Sequence, residues 1–349
     1  MFTVALTLLL CIALSALLQQ VCARIDARRF PPPGRLVDID GARLHVQQSG
    51  EGHPAVVLEA GIAASSLNWS LAQPLLAAFT TTYSYDRAGF GWSVSENFTC
   101  SLNRMADDLH ALLQQLEVPA PYILVAHSFG GYIVTAFAQR YAGELAGVVL
   151  VDPLTPEEWL QPSRAQQWVL RRGVWFSRAG GALASVGVLR ACLWLLQRGR
   201  REAPRRVLRL FGGQATETVQ RILRELAKLP PEVVRLIRAR WSTSRFFWTM
   251  AAYIQAVPRC AAELQGSVIP AQVPVTVLSG AHQPAVRLQE HAAIAARSAR
   301  GRHVLAGDSA HWIHLDQPEV VAQAVREMTD ALHLQCNTEP LIHEEGRRT

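Results

Sequence analysis

In YILVAHSFGGYIVTAFAQRY, Tyr122 to Tyr141, an apolar β-like run passes straight into a helix-like one, with Ser128 at the seam. A serine hydroxyl attacks a carbonyl only when a base takes its proton and nearby donors stabilise the oxyanion. A sharp strand-to-helix turn suits that chemistry: it lifts Oγ above the carboxyl edge of a sheet and sets the N–H groups and dipole of a new helix beneath the developing charge. Strand and helix nearly touch at such a turn, so the residues two before and two after the serine must be small. Ala126 and Gly130 are small, and Gly131 adds room. The same residues also suit a plain structural turn, and the pentapeptide alone leaves both readings open.

Either reading needs a sheet. RLVDIDGARLHVQQSG, Arg35 to Gly50, alternates apolar and polar residues around Asp40-Gly41 and reads as a β-hairpin. Strand patterns follow at Ala55–Gly61, Thr80–Asp86, Tyr122–Ala126, Gly147–Val151, Val273–Leu278 and Arg302–Leu305. Helical patterns occur at Leu102–Leu116, after Ser128, around Pro284–Arg297 and from Pro318 to Leu334. This alternation predicts an α/β fold with a mostly parallel central sheet and helices on both faces. Residues 31–152 and 263–334 form its two parts. Residues 153–262 interrupt the rhythm as a helical insertion, 1–30 form a hydrophobic leader, and 335–349 form a polar tail expected to be disordered.

Charge separates these parts. The chain of 349 residues is half apolar with a net charge of +6, yet residues 153–262 hold 19 Lys and Arg against 6 Glu. The insertion is thus +13 and the remainder −7. It also holds six of the nine tryptophans: Trp159, Trp168, Trp175, Trp194, Trp241 and Trp248. The six cysteines form neither a C-x-x-C pair nor a Cys/His cluster, which argues against a disulfide framework or zinc site and for free thiols. The leader is apolar from Phe2 to Leu18 and uncharged before Arg24. Arg24, Arg28 and Arg29 behind it favour an uncleaved membrane anchor with the body cytosolic. Val21-Cys22-Ala23 suits signal peptidase, and cleavage there would make the protein secreted. Asn68-Trp69-Ser70 and Asn97-Phe98-Thr99 match the short glycosylation triplet.

From Gly34 to Leu334 the chain resembles the α/β-hydrolase family, in its serine hydrolase branch. Ala-His-Ser-Phe-Gly is similar to the nucleophile elbow, with alanine for the usual first glycine. LEAGIAASSLNW, Leu58 to Trp69, resembles the oxyanion loop, and the resemblance makes the backbone N–H groups of Ile62 and Phe129 the oxyanion hole. SYDRAGFGWS, Ser84 to Ser93, is similar to a strand-end loop in which Asp86 and Arg87 are structural. GDSAHWIHLDQPEVV, Gly307 to Val321, resembles the catalytic-histidine loop, with His311 as base and His314 as competitor. His127, beside the nucleophile, is expected to brace the turn, since neighbouring strand side chains point to opposite faces.

The family's common acid position falls in SGAHQPA, Ser279 to Ala285, which contains no Asp or Glu. One reading is a weakened enzyme. The other uses the family's alternative position after the strand that follows the nucleophile helix, where Asp152 closes VVLVDP, with Glu157 and Glu158 as runners-up. The resemblance implies a carboxylic ester hydrolase without metal or organic cofactor and with Ser128, His311 and Asp152 as its triad. Amide, peptide or carbon–carbon bond hydrolysis and perhydrolysis on the same triad remain alternatives, as does a non-catalytic ligand-binding protein. Epoxide hydrolases and haloalkane dehalogenases use an aspartate nucleophile, and this elbow carries serine. In this family such an insertion caps the active site. Gly180 to Arg201, apolar and then cationic, suits a membrane interface or a solvated cap face equally well. The expected substrate is a small-molecule or lipid ester; no motif accompanies the arginines to suggest nucleic acid.

Overall fold

The computed structural model describes residues 1–96, 98–198 and 213–338. Helix α1 (Phe2–Arg29) precedes the hairpin of β1 (Arg35–Ile39) and β2 (Ala42–Ser49), whose turn residues Asp40 and Gly41 both have positive φ, +30° and +76°. Next come β3 (Val56–Glu59), α2 (Ala72–Ala77), β4 (Thr82–Tyr85), a short β5 (Val94–Ser95) and α3 (Leu102–Gln115). Strand β6 (Tyr122–His127) leads through Ser128 into α4 (Gly130–Tyr141) and then β7 (Leu145–Val151). The insertion supplies α5 (Pro156–Leu160), α6 (Arg164–Ser185), α7 (Val188–Gln197), α8 (Gly213–Leu226), α9 (Pro231–Trp241) and α10 (Ser244–Glu263). The fold closes with β8 (Val275–Gly280), α11 (Ala285–Ala296), β9 (Arg302–Ala306), α12 (Ile313–Asp316) and α13 (Pro318–Thr338).

The strands run in the order β1-β2-β4-β3-β6-β7-β8-β9, with β5 on β2. Pairings from β4 through β3 to β9 are parallel, and the hairpin joins β4 antiparallel. Each parallel strand divides its side chains between two cores. Val57, Leu124, Val148 and Val277 face one layer with Leu109 of α3 and Ile133 of α4. Val56, Ile123, Val125 and Val149 face the other with Leu76 of α2 and Val325 of α13. A period of two thus feeds helices on both faces and makes these strands continuously apolar in sequence.

One expectation needs correction, and others fall partly outside the described residues. Gly180 to Arg201 is not one segment: α6 ends at Ser185, Gly187 turns at φ +75°, and α7 begins at Val188. Its first two glycines are buried against Phe247 and Trp248 of α10. The arginine pair at its end, Arg200 and Arg201, lies outside the described residues, as do Phe211 and Asn97. Helix α13 runs four residues beyond Leu334, and the tail past Thr338 lies outside the described residues. Asn68 is drawn into a local cap, its Oδ1 accepting from Ser65 N at 3.0 Å.

The carboxyl end of β8 touches the loop that carries His311. A Cβ on Gly280 would stand 1.7 Å from the Ala310 carbonyl oxygen, with Ser309 O at 2.8 Å. Gly280→Ala must push that loop away, and thermal unfolding should show a melting temperature lower by roughly 5 °C or more.

Candidate active site

Ser128 stands between β6 and α4 at φ +55°, a left-handed conformation that costs a non-glycine residue about 1–2 kcal/mol. Hydrogen bonds hold it there: Ser128 N donates to Val151 O (3.0 Å), and Ser128 O accepts from Gly131 N (3.0 Å) and Leu154 N (3.2 Å). The room required around it is real. A Cβ on Gly130 would lie 2.8 Å from Glu59 Cγ, 2.9 Å from Glu59 O and 3.0 Å from Ala60 O, so the helix can start here only without a side chain. Asp152, at the end of the neighbouring β7, has φ +44°, and its N–H donates to Leu278 O at 2.8 Å. The only other non-glycine residues with positive φ among those described are Asp40, Ala63 and Glu117, and Ala63 follows Ile62. Strain is therefore concentrated where β3, β6 and β7 end.

His311 and Asp152 come together: His311 Nδ1 lies 2.6 Å from Asp152 Oδ2, with the carboxylate fully buried and the imidazole 29% exposed. That contact leaves Nε2 as the free ring nitrogen. Ser128 Oγ and His311 are not hydrogen-bonded to each other in this conformation, and Ser128 is only 8% exposed. Catalytic hydrogen bonds are often long without substrate. His311's loop is nevertheless tied to the elbow, because His127 Nε2 bonds the His311 carbonyl at 3.0 Å. A carbonyl only accepts, so Nε2 carries the His127 proton. His127 thus braces the histidine loop.

His314 sits differently. It is 1% exposed, packed between the rings of Trp69 (4.8 Å) and His127 (4.3 Å). Burial, and then the neighbouring His311, push its pKa down to about 3. Burial likewise holds His127 well below the usual histidine range, helped by His314 and His311. Neither runner-up acid touches His311: Glu158 bonds Arg287 at 2.6 Å, and half-exposed Glu157 faces Arg297 at 3.9 Å.

The residue that sequence reasoning missed is Gln283, inside the stretch that lacks a carboxylate. Its Nε2 donates to Asp152 Oδ2 at 2.6 Å, the oxygen that also meets His311, and its Oε1 accepts from Arg287 at 3.1 Å. A carboxylate on one side and a guanidinium on the other leave one possible amide orientation. Gly280 N approaches Asp152 Oδ1 at 3.4 Å. The signal was present in the sequence, but a search for acids passes over an amide.

The Leu58–Trp69 loop rests on buried charge. Arg87 reaches the Gly61 carbonyl at 2.5 Å and also bonds the Ala60 carbonyl and the Glu59 carboxylate, which Tyr85 shares. Burial raises Glu59 above the usual carboxylate range, although the adjacent Arg87 opposes that shift. Asp86 is equally structural: it accepts from Ser66 N (2.7 Å) and Trp92 N (3.0 Å) and meets buried His45 at 2.9 Å. A Cβ on Gly61 would be 3.3 Å from Ser128 Cβ, so this loop borders the elbow directly. No hydrogen-bond acceptor is found among the described residues for Ile62 N–H or Phe129 N–H. Nor do the described residues contain a group of three or more His, Cys, Asp or Glu that could hold a metal ion.

The insertion packs onto the same region. Leu226 and Leu229, and Ile237 of α9, cluster with Leu67 and Leu315, Lys228 pairs with Asp316, and Arg221 stacks over Trp312 at 5.4 Å. From α10, Tyr253 meets Phe129 edge-on at 5.7 Å. A cavity of about 130 Å³ lies at the roots of the insertion, lined by Tyr132, Pro153, Leu160 and Val268 and not by Ser128 or His311.

A family model described as the alpha/beta hydrolase fold matches residues 54–318. An uncharacterised protein of Bacillus subtilis, YqjL, is 34% identical over 119 residues, 33% of this chain and 46% of that protein. Epoxide hydrolase A of Mycobacterium tuberculosis is 30% identical over 139 residues, 38% of this chain and 43% of that one. The chain thus spans less than half the length of these curated relatives. Among solved structures, a thermophilic esterase from Thermogutta terrifontis superposes with a TM-score of 0.59 at 24% identity, covering 86% of this chain and all of the esterase. An alpha/beta hydrolase fold protein from Burkholderia ambifaria gives 0.60 at 22%, over 84% and 97%. At these identities the likeness speaks for the fold.

A histidine kept neutral by burial at a pKa near 3 binds its proton only on unfolding between that value and about 6.5, so stability is lost as pH falls through this window. Relative to His314→Phe, the unsubstituted chain should lose about 1.4 kcal/mol per pH unit below pH 6.5. Urea unfolding at pH 7 and pH 5 measures this; parallel losses in both proteins would contradict it.

Proposed function

Because this chain belongs to the α/β-hydrolase family, we propose that it is a serine hydrolase that cleaves a carboxylic ester through an acyl-enzyme intermediate. The observation that carries the reading is the His311–Asp152 contact of 2.6 Å, one strand over from a strained Ser128. Asp152 fixes the His311 tautomer with the proton on Nδ1, which leaves Nε2 as the base. Turnover requires Ser128 Oγ to meet Nε2. His311 takes the hydroxyl proton as Oγ adds to the ester carbonyl, and the N–H groups of Ile62 and Phe129 donate to the oxyanion. His311 then protonates the leaving alcohol. Water, deprotonated by the same nitrogen, attacks the acyl-serine and releases the acid, returning Ser128. Gln283 holds Asp152 in register throughout.

An epoxide substrate, acted on by the Mycobacterium relative, is disfavoured because Ser128 is not a carboxylate. We read the insertion as a cap: α8 and α9 touch the His311 loop through Arg221 and Ile237, and the charge and tryptophans of the insertion favour a lipid-like ester. Helix α1 and the cap associate the protein with a membrane. A non-catalytic binding role draws support from the unmade Ser128–His311 bond, and one experiment separates it from turnover. A fluorophosphonate probe should label the native protein and not Ser128→Ala; absence of labelling of the folded native protein excludes the hydrolase. Asp152→Asn should lower kcat on an activated short-chain ester by on the order of a thousandfold, and unchanged turnover would place the acid elsewhere.

A further inference from the structure

Helix α1 is apolar and long enough to cross a membrane, yet it is not featureless. Ser15, Ala16, Gln19, Cys22, Ala23 and Asp26 are its sheltered positions, recurring at three and four residues along one face. Leu8, Leu9, Leu10, Ile12, Leu14, Leu17 and Leu18 are exposed. The docked face is therefore small and polar, and what it docks on is the cap. Ser15 Oγ donates to Val186 O at 2.7 Å, and Gln19 Nε2 to Ser242 O at 2.8 Å. Arg190 of α7 ties the contact together: Nε donates to Gln19 Oε1 (2.7 Å), one terminal nitrogen to Ser242 Oγ (3.0 Å) and the other to the Asp26 carboxylate. Gln19 is 6% exposed and both its polar ends are satisfied. Cleavage after Ala23 would remove Gln19 from the Arg190 guanidinium and from Ser242 O, leaving Arg190 with Asp26 and Ser242 alone.

We propose that α1 is a retained, docked part of the folded protein, clamped to the cap by Arg190, and that its free end enters a lipid bilayer so that the cap lies against the headgroups. The length supports the geometry. Phe2 to Leu14, ahead of the docked face, spans about 20 Å at 1.5 Å per residue, short of a hydrocarbon core of about 30 Å. Full insertion draws the docked segment, and the cap with it, down to the headgroup layer. One turn beyond Arg190 on α7 stands Trp194, 48% exposed, with Arg198 stacked 3.9 Å over its ring. A tryptophan–arginine pair suits an anionic interface.

The test uses the full chain with its own N-terminus and a C-terminal tag. Intact mass should include residues 2–23, and a chain beginning at or near Arg24 overturns the proposal. The protein should stay in the membrane pellet through an alkaline carbonate wash; release into the wash overturns the bilayer assignment. In detergent, at a temperature where circular dichroism shows both proteins folded, trypsin should cut after Arg24 at least tenfold faster in Arg190→Leu. Equal rates overturn the clamp. If Arg190→Leu does not fold, Asp26→Asn serves, since it leaves the guanidinium on Gln19 and Ser242. None of these readouts involves turnover, so they stand or fall apart from the hydrolase reading.

Discussion

The site depends on how closely one helix is allowed to approach one strand. Gly130, at the start of α4, lies within contact of Glu59 and Ala60 at the end of β3, and this forces the chain through a left-handed turn at Ser128. Strain of about 1–2 kcal/mol is sustained because the turn's polar groups are tied to β7 and to the loop after it. At the next strand end Asp152 is left-handed as well, and an aspartate tolerates that better than most residues. A parallel sheet ends its strands side by side, so residues 24 positions apart in the chain become neighbours.

Around that rim the protein uses buried charge as scaffolding. Glu59, Arg87 and Tyr85 form one cluster beneath the Leu58–Trp69 loop, and His45 with Asp86 form another beside it. Breaking such a cluster by removing one partner costs more than the cluster contributes net, because a charge is then left without water or counter-ion. Loops that are otherwise irregular acquire one arrangement. The imidazole pair His127 and His314 adds to this by staying neutral, which lets two rings pack beside His311 without placing a positive charge there.

Local periodicity made most of the architecture legible. The Asp40-Gly41 turn, the apolar strands and the helices from Leu102, Pro284 and Pro318 are all set within a dozen residues, and they form close to where the patterns place them. The elbow was legible because its steric demand is written in small residues at fixed offsets. What escaped depends on distance. Gln283 acquires meaning only from Asp152, 131 residues earlier. The strand order β4-β3-β6 and the antiparallel edge follow from packing, not from pattern. The break at Gly187 hides inside an apolar run, and the docked stripe of α1 becomes visible only once the cap supplies Arg190.

A trans peptide is a rigid plate whose carbonyl and N–H point opposite ways. Arg87 grips the plate joining Gly61 to Ile62 by its oxygen, and Leu154 with Gly131 grip the plate joining Ser128 to Phe129 in the same manner. The hydrogens of Ile62 and Phe129 are thereby aimed before any ligand arrives. On the proposed reading, neither plate needs to swivel when negative charge appears beside it, so the reorganisation that water would undergo has already been completed during folding.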